Sequence, residues 1–331
     1  MKIERLLATL IAVVILTIPV QAQATTITVL SDDDPGEGFE DTTPVNPVGG
    51  NTGQTLGQQR MNVAQAAADQ WAGLVNSSVE IKISGAWEEL DCESNSGVLG
   101  SAGPTQVARD FPGAEPDTWY HIALARAIAG PGSSLDTGEP DISMTLNMKL
   151  DEGDDDCLLG NTWYYGLDGS GPAGTIDLYP VILHELAHGL GFSNFVNLEE
   201  GSLFNDLTDV YINNLRDTQI GQDWPDMTDN QRANSATNDP NVVWTGPAVT
   251  GSADQYVFNT GAFSQGFLRI HAPDDLASGS SISHWTADAS PDLLMKPVLG
   301  NIDFTQVDLT PALMQDIGWE TALFRDRFEA N

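Results

Sequence analysis

Basic residues are scarce in this chain of 331 residues: 13 Lys and Arg stand against 47 Asp and Glu, a formal net charge of −34 at pH 7. A field of that sign repels phosphate backbones and anionic headgroups, which argues against nucleic-acid and acidic-lipid partners. Cysteine is rarer still, with Cys92 and Cys157 alone. Two cysteines exclude a disulfide-dense scaffold and an all-cysteine metal cluster. After the first two dozen residues there is no long hydrophobic run, so no second segment reads as a membrane span. Internal repeats and low-complexity linkers are also missing. Histidine occurs five times, and that rarity gives weight to any pattern the histidines form.

The first apolar run reads as an export signal. Lys2 and Arg5 form a basic start, Leu6 to Val20 an apolar centre, and Ala22-Gln23-Ala24 a small-residue cleavage site. Pro19 interrupts the run short of a full span. Residues 1–24 are therefore expected to be a signal peptide, giving a secreted or periplasmic protein with no stable membrane insertion. Loss of Lys2, Glu4 and Arg5, which sum to +1, takes the charge from −34 to −35.

In an exported protein an isolated cysteine pair reads as a disulfide, here closing a loop of about 65 residues and stabilising by about 4 kcal/mol. The other reading is a cysteine that caps a metal and keeps an enzyme latent. The acidic runs Asp32-Asp33-Asp34 and Asp151-Glu152-Gly153-Asp154-Asp155-Asp156 fit a solvated surface adapted to a salty exterior. They also offer hard oxygen ligands for Ca²⁺, without the spacing of an EF-hand loop.

Periodicity outlines the fold. Thr25 to Leu30 alternates as a strand, and Leu56, Met61, Ala64, Ala67, Ala68, Trp71 and Leu74 recur at helical spacing within Thr55 to Val75. Val79 to Ile83 reads as a strand, Trp119 to Ala129 as a helix and Ile142 to Leu150 as a strand. Beyond Phe192 the apolar runs shorten, and Leu203 to Leu215 and Pro311 to Trp319 are the segments that look helical. This mixed order implies an α+β fold. The expected organisation is an N-terminal subdomain over 25–192, a more irregular one over 193–322, and a tail over 323–331.

The most informative stretch is His184-Glu185-Leu186-Ala187-His188, followed by Gly189-Leu190-Gly191-Phe192. On a helix the two histidines are one turn apart and face the same way, so both imidazoles can reach one Zn²⁺. Glu185 sits beside them as a candidate general base. A chance match has odds well below about one in a hundred in so histidine-poor a chain. Pro180 suits the first turn of that helix, and Gly191 suits a turn of the chain at its end.

Catalytic zinc takes three protein ligands and an open position. In metzincin peptidases the motif continues to a third histidine at the position that is Asn194 here. Other donors are His271 in Arg269-Ile270-His271-Ala272-Pro273, His121 in the apolar Trp119 to Ala123, and the carboxylates Glu199, Glu200, Asp206 and Asp209. His121 reads as a core histidine and His271 as structural or cleft-lining.

A further pair stands apart: Ser281-Ile282-Ser283-His284-Trp285, then Leu293-Leu294-Met295-Lys296-Pro297. With the His-Glu helix it resembles the leishmanolysin-like peptidases, metzincin-type enzymes whose third histidine arrives after a long insertion and shortly before a methionine turn. Tyr164 to Asp168 and Leu309 to Trp319 resemble secreted bacterial members of that group. The resemblance implies His284 as third ligand, Met295 as a support beneath the zinc, and a cleft between the two subdomains. The 95 residues between His188 and His284 imply an inserted loop or small subdomain, and the long propeptide of the parasite enzymes has no counterpart here.

The expectation is a secreted zinc metalloendopeptidase acting on a protein or peptide substrate, with Glu185 as base and an edge strand, Ile142 to Leu150, binding the substrate backbone. Its rival is a secreted binding or adhesion protein with a structural zinc, whose fourth ligand would be Asn194 or a cysteine. N-terminal sequencing of exported protein should start near Thr25; an intact Met1 would refute cleavage.

Overall fold

A computed structural model of the chain describes residues 24–152, 156–298, 300 and 307–321. The expected signal segment, save Ala24, and the tail 323–331 lie outside the described residues. The fold is α+β. Its centre is a four-stranded sheet of β1 (Ile27–Ser31), β2 (Ile81–Glu88), β3 (Gly100–Pro104) and β4 (Ile142–Asn147), in the order β1-β2-β4-β3. β1, β2 and β4 run parallel, and β3 pairs antiparallel to β4 on the outside.

Two helices of the N-terminal half pack on it, α1 (Leu56–Ala72) and α3 (Leu178–Leu190), and α2 (Ile122–Ala129) packs on α3. The hydroxyl of Thr55 caps α1 by accepting the Gln58 N–H at 3.2 Å. On α1, Val63, Ala64, Ala67, Ala68 and Trp71 form the buried stripe and belong to the same core cluster as Ile81, Ile83, Met144 and Leu146. Small alanines at that spacing let α1 lie close to both the sheet and α3. The Trp71 indole donates to the Leu183 carbonyl at 3.0 Å, and the Trp319 indole to Leu190 O at 2.9 Å. Two tryptophans thus hold α3, one at its middle and one at its C-terminal end. Pro180 falls inside the first turn of α3, where no backbone acceptor needs its missing N–H.

Two expectations are corrected. Ile142 to Leu150 is not an edge: its strand ends at Asn147 and lies between β2 and β3, while Lys149–Glu152 is a short helix. The edge strand beside α3 is Gly100–Pro104, a segment too poor in branched and aromatic residues to read as a strand. Leu203 to Leu215 is not a helix but two single 3₁₀ turns, Phe204–Asp206 and Ile212–Asn214, flanking an extended Thr208–Asp209. Asn205 and Asp206 have φ of 50° and 60°, and the Asp209 carboxylate takes the N–H groups of Tyr211 and Ile212, each at 2.9 Å. That local bonding offers the backbone an alternative to the helix. The Trp119 to Ala129 helix also starts later, at Ile122, after a strand Thr118–His121.

The half beyond Phe192 is irregular, as its short apolar runs imply, and α4 (Thr310–Asp316) closes it. Buried loops need partners for their backbone groups, and long polar side chains supply them. Arg232 donates to the carbonyls of Gly201, Trp224 and Met227; Arg269 donates to Gly261 O and pairs with Asp239 and Asp288. The acidic runs also have structural work. Asp33 accepts the N–H groups of Phe39 and Trp87, and Asp151 pairs with the buried Arg60 and the Tyr165 hydroxyl. Cys92 and Cys157 are joined in a disulfide, which removes both from the role of metal cap. None of the helices among the described residues is long and apolar enough to cross a membrane.

Gly189 sits where α3 crosses β4, and a Cβ there would overlap Ile142 Cγ2. Gly189→Ala should lower stability in urea unfolding, because overpacking costs about 1–3 kcal/mol against a helix-propensity gain near 1 kcal/mol. An unchanged or raised midpoint would contradict this packing.

Candidate metal centre

α3 carries His184 and His188 on one face because four residues make just over a turn. Its last residue is Leu190, and Gly191 at φ 137° turns the chain away. A Cβ on Gly191 would overlap Ile317 Cδ1, so the turn needs glycine for space as well as conformation. The turn brings Phe192 back under the helix, where its carbonyl accepts the Nδ1–H of His188 at 2.8 Å.

The structure brings His284 to the same place from 100 residues away. His184 Nε2 lies 3.1 Å from His284 Nε2 and 3.2 Å from His188 Nε2. All three ligand atoms fall within 4.8 Å of one another. The other ring nitrogens face main-chain carbonyls: His184 Nδ1 the Leu294 O at 2.7 Å, His284 Nδ1 the Ser280 O at 2.8 Å. A carbonyl only accepts, so each Nδ1 carries the proton and each Nε2 presents a bare lone pair. Three such lone pairs facing one point repel unless a cation lies between them. Three imidazoles are a donor set that suits Zn²⁺, and they leave a tetrahedral ion one open position.

Burial reinforces this. It pushes His184 down to about 4, and burial with the neighbouring His184 takes His188 to about 3. His284 is lowered well below its ordinary value for the same reasons. The rings are neutral at physiological pH, as metal ligands must be. Glu185 is only 7% exposed. Its burial raises the carboxyl to about 8, against the pull of an N–H from Ala102 on β3.

β3 runs along α3 at this point, and Gly100 matters there: a Cβ would stand 3.2 Å from Glu185 Cγ and from Leu146 Cδ2. Asn147 N donates to Leu99 O at 3.0 Å and Thr105 N to Asp141 O at 3.0 Å, which sets the phase of the antiparallel pairing. By alternation Leu99, Ser101, Gly103 and Thr105 bond inward to β4. Gly100, Ala102 and Pro104 turn their carbonyls to the open edge.

Met295 is fully buried in a turn closed by Lys296 N on Leu293 O at 3.1 Å. Its carbonyl accepts the Trp285 N–H at 2.8 Å, beside the third histidine, and the preceding Leu294 carbonyl orients His184. The turn's backbone therefore bonds His184 directly and, through Trp285, the residue that follows His284.

The remaining candidates lie elsewhere. Asn194 donates to Ser283 Oγ at 3.3 Å and accepts from Val196 N at 3.0 Å, so it steadies the third-histidine loop rather than joining the cluster. His121 is buried, held at about 3 by that burial, with Nε2 2.7 Å from Ser193 Oγ. His271 is half-buried, its backbone N–H bonded to His284 O at 2.9 Å. Glu199, Glu200 and Asp206 are exposed, and Asp209 is a buried acceptor of three backbone N–H groups. The carbonyls of Phe192, Ser280 and Leu294 and the edge of β3 went unread in the sequence, because a backbone group leaves no residue-type signature.

Comparison with known proteins adds little. No family model and no solved structure matches the chain. An uncharacterized protein of Schizosaccharomyces pombe is 28% identical over 183 residues, 51% of this chain and 29% of that protein. The chain spans less than a third of that relative's length.

His284→Ala should abolish stoichiometric zinc in the purified protein, measured by metal analysis after dialysis. Full retention of the metal would remove His284 from the site.

Proposed function

We propose that the chain is an exported zinc-dependent endopeptidase of the leishmanolysin-like, metzincin type, with its catalytic cleft between the regions 25–192 and 193–322. The observation that carries this reading is the convergence of three proton-free imidazole nitrogens beside a buried glutamate and an open strand edge. The resemblance to a known peptidase family supplies the peptide-bond substrate, and the geometry supplies groups suited to that reaction.

His184, His188 and His284 would hold the ion. Zn²⁺ in such a set lowers the pKa of water to about 7 and polarises a carbonyl. The chain's own part is binding and proton transfer. Glu185 follows the first histidine directly in sequence, is buried and is held by the Ala102 N–H, so its carboxyl is placed to take a proton from the attacking water and return it to the departing amine. The open edge of β3 offers carbonyls at Gly100, Ala102 and Pro104 for an extended substrate backbone, which would add to the sheet as a further strand. The Ala102 N–H that bonds Glu185 lies on that same edge, so substrate and base share one element.

A closed structural zinc site has less support. Asn194 has other partners and both cysteines are in the disulfide, so neither proposed fourth ligand is available. A structural site also has no use for a buried carboxylate next to its first histidine.

Purified protein should cleave casein, and a chelator should stop it. Glu185→Gln should retain zinc and lose about 10²–10⁴-fold in turnover, the usual contribution of a positioned acid–base group. Undiminished turnover in that variant would overturn the role of Glu185, and chelator-resistant cleavage would overturn the zinc mechanism.

A further inference from the structure

The third histidine is delivered by a loop with a strained backbone. Ile282, two residues before His284, has φ of 67°, a region that a β-branched side chain enters only at a cost. Its side chain is fully buried, so the loop cannot relax outward without exposing it. Such strain persists where surrounding groups over-determine the conformation. Both backbone groups of Ile282 are accounted for: its N–H donates to His271 O at 2.8 Å, and its carbonyl accepts the Tyr211 hydroxyl at 2.7 Å. The positive φ reverses the chain, and Ser280 O comes within 2.8 Å of His284 Nδ1.

Tyr211 is itself fixed. It is fully buried, its ring 5.7 Å from Phe192 and 4.8 Å from Trp244. Asp209 accepts its N–H at 2.9 Å and, through the other carboxylate oxygen, the N–H of Phe195 at 2.9 Å. The tyrosine is thus tied to the segment that follows α3, and its hydroxyl reaches across to the loop that follows His271. Burial raises the phenol well above its ordinary value, so the hydroxyl is a permanent donor.

We propose that Tyr211 is a positioning residue for the third metal ligand: its hydroxyl holds the Ile282 carbonyl, keeps the strained turn in place before metal arrives, and so presents His284 to the pair on α3. This rests on the zinc-site reading above and adds to it a residue remote from the motif. The loop is then organised in advance, and metal binding need not carry the ordering cost of the loop.

Tyr211→Phe removes one oxygen and keeps the ring that packs on Phe192 and Trp244. Its zinc affinity, by competition with a chromophoric chelator, should fall about 10–100-fold, the usual loss when a group that orients a ligand is removed. The d–d absorption bands of the Co²⁺-substituted protein should change shape as His284 loses its fixed angle. A merely structural hydroxyl would lower the unfolding midpoint of the zinc-free protein while leaving affinity and bands as in wild type, and that result overturns the proposal.

Hydrogen exchange on wild type gives a test independent of any variant's folding. In zinc-free protein the peptide spanning residues 277–286 should be protected, and exchange there at open-loop rates overturns the brace. Wild type that takes up no zinc at all overturns the zinc-site reading instead, and exchange at this peptide still decides whether the loop is held.

Discussion

Three imidazole lone pairs pointed at one spot are an unfavourable arrangement by themselves, and the surrounding structure has to hold them there. The means is the same at each ring: a main-chain carbonyl, from Leu294, Phe192 or Ser280, takes the Nδ1 proton. Carbonyls fix the tautomer and the ring plane without adding charge. A carboxylate in their place would donate more electron density to the rings and soften the pull of any ion they held. With neutral partners on each ring, the acidic residue next to the first histidine is Glu185, where the proposed proton transfer would happen. The cost is that each carbonyl must itself be placed, and a backbone can be placed only by what packs around it.

That packing is aromatic. Phe192 lies just past the helix that carries His184 and His188, Trp285 follows the third histidine, and Tyr211 and Trp244 belong to the segment between them. Phe192 meets Trp285 at 5.1 Å and Tyr211 at 5.7 Å; Trp244 meets Tyr211 at 4.8 Å and Trp285 at 6.2 Å. All four are fully buried. Ring pairs with fixed edge-to-face geometry bury large areas and resist sliding. The cluster ties together the two ends of a long insertion, so the separation in sequence between His188 and His284 becomes irrelevant to their separation in space. The indole of Trp319 on Leu190 O then joins the closing helix to the same helix end.

The parts of this arrangement differ in how far the residues announce them. The helix with His184 and His188 is legible because spacing, apolar run and terminal glycine all follow from a period of 3.6. The long helix from Leu56 shows through its alanine and tryptophan stripe for the same reason. His284 and Met295 are legible only through a family resemblance, since nothing in local periodicity joins them to residue 188. Gly100–Pro104 hid because the features that make it useful, small residues and a proline on an open edge, are those that lower strand propensity. Ile142–Asn147 is legible as a strand by its alternation, but alternation tells the two faces of a strand and not its neighbours, and this one lies between β2 and β3. Leu203 to Leu215 read as a helix because apolar spacing says nothing of Asp209 folding back onto Tyr211 and Ile212.

The shortage of basic residues also has a structural side. Arg60, Arg126, Arg232 and Arg269 are each at most 6% exposed, out of 13 Lys and Arg in the chain. Arg60 lies over the Trp87 ring at 4.4 Å and reaches Asp151; Arg126 bonds both oxygens of the buried Asp141 at 2.7 Å. A guanidinium offers five donors in a rigid plane, which is what loops rich in unpaired carbonyls require. Cations used inside as struts are missing from the surface, and the outer charge becomes more one-sided than composition alone conveys. The resulting negative field extends about 8–10 Å before salt screens it. It therefore bears on what can approach the molecule, while the histidine cluster, its Nδ1 atoms on neutral carbonyls, is governed by the short contacts around it.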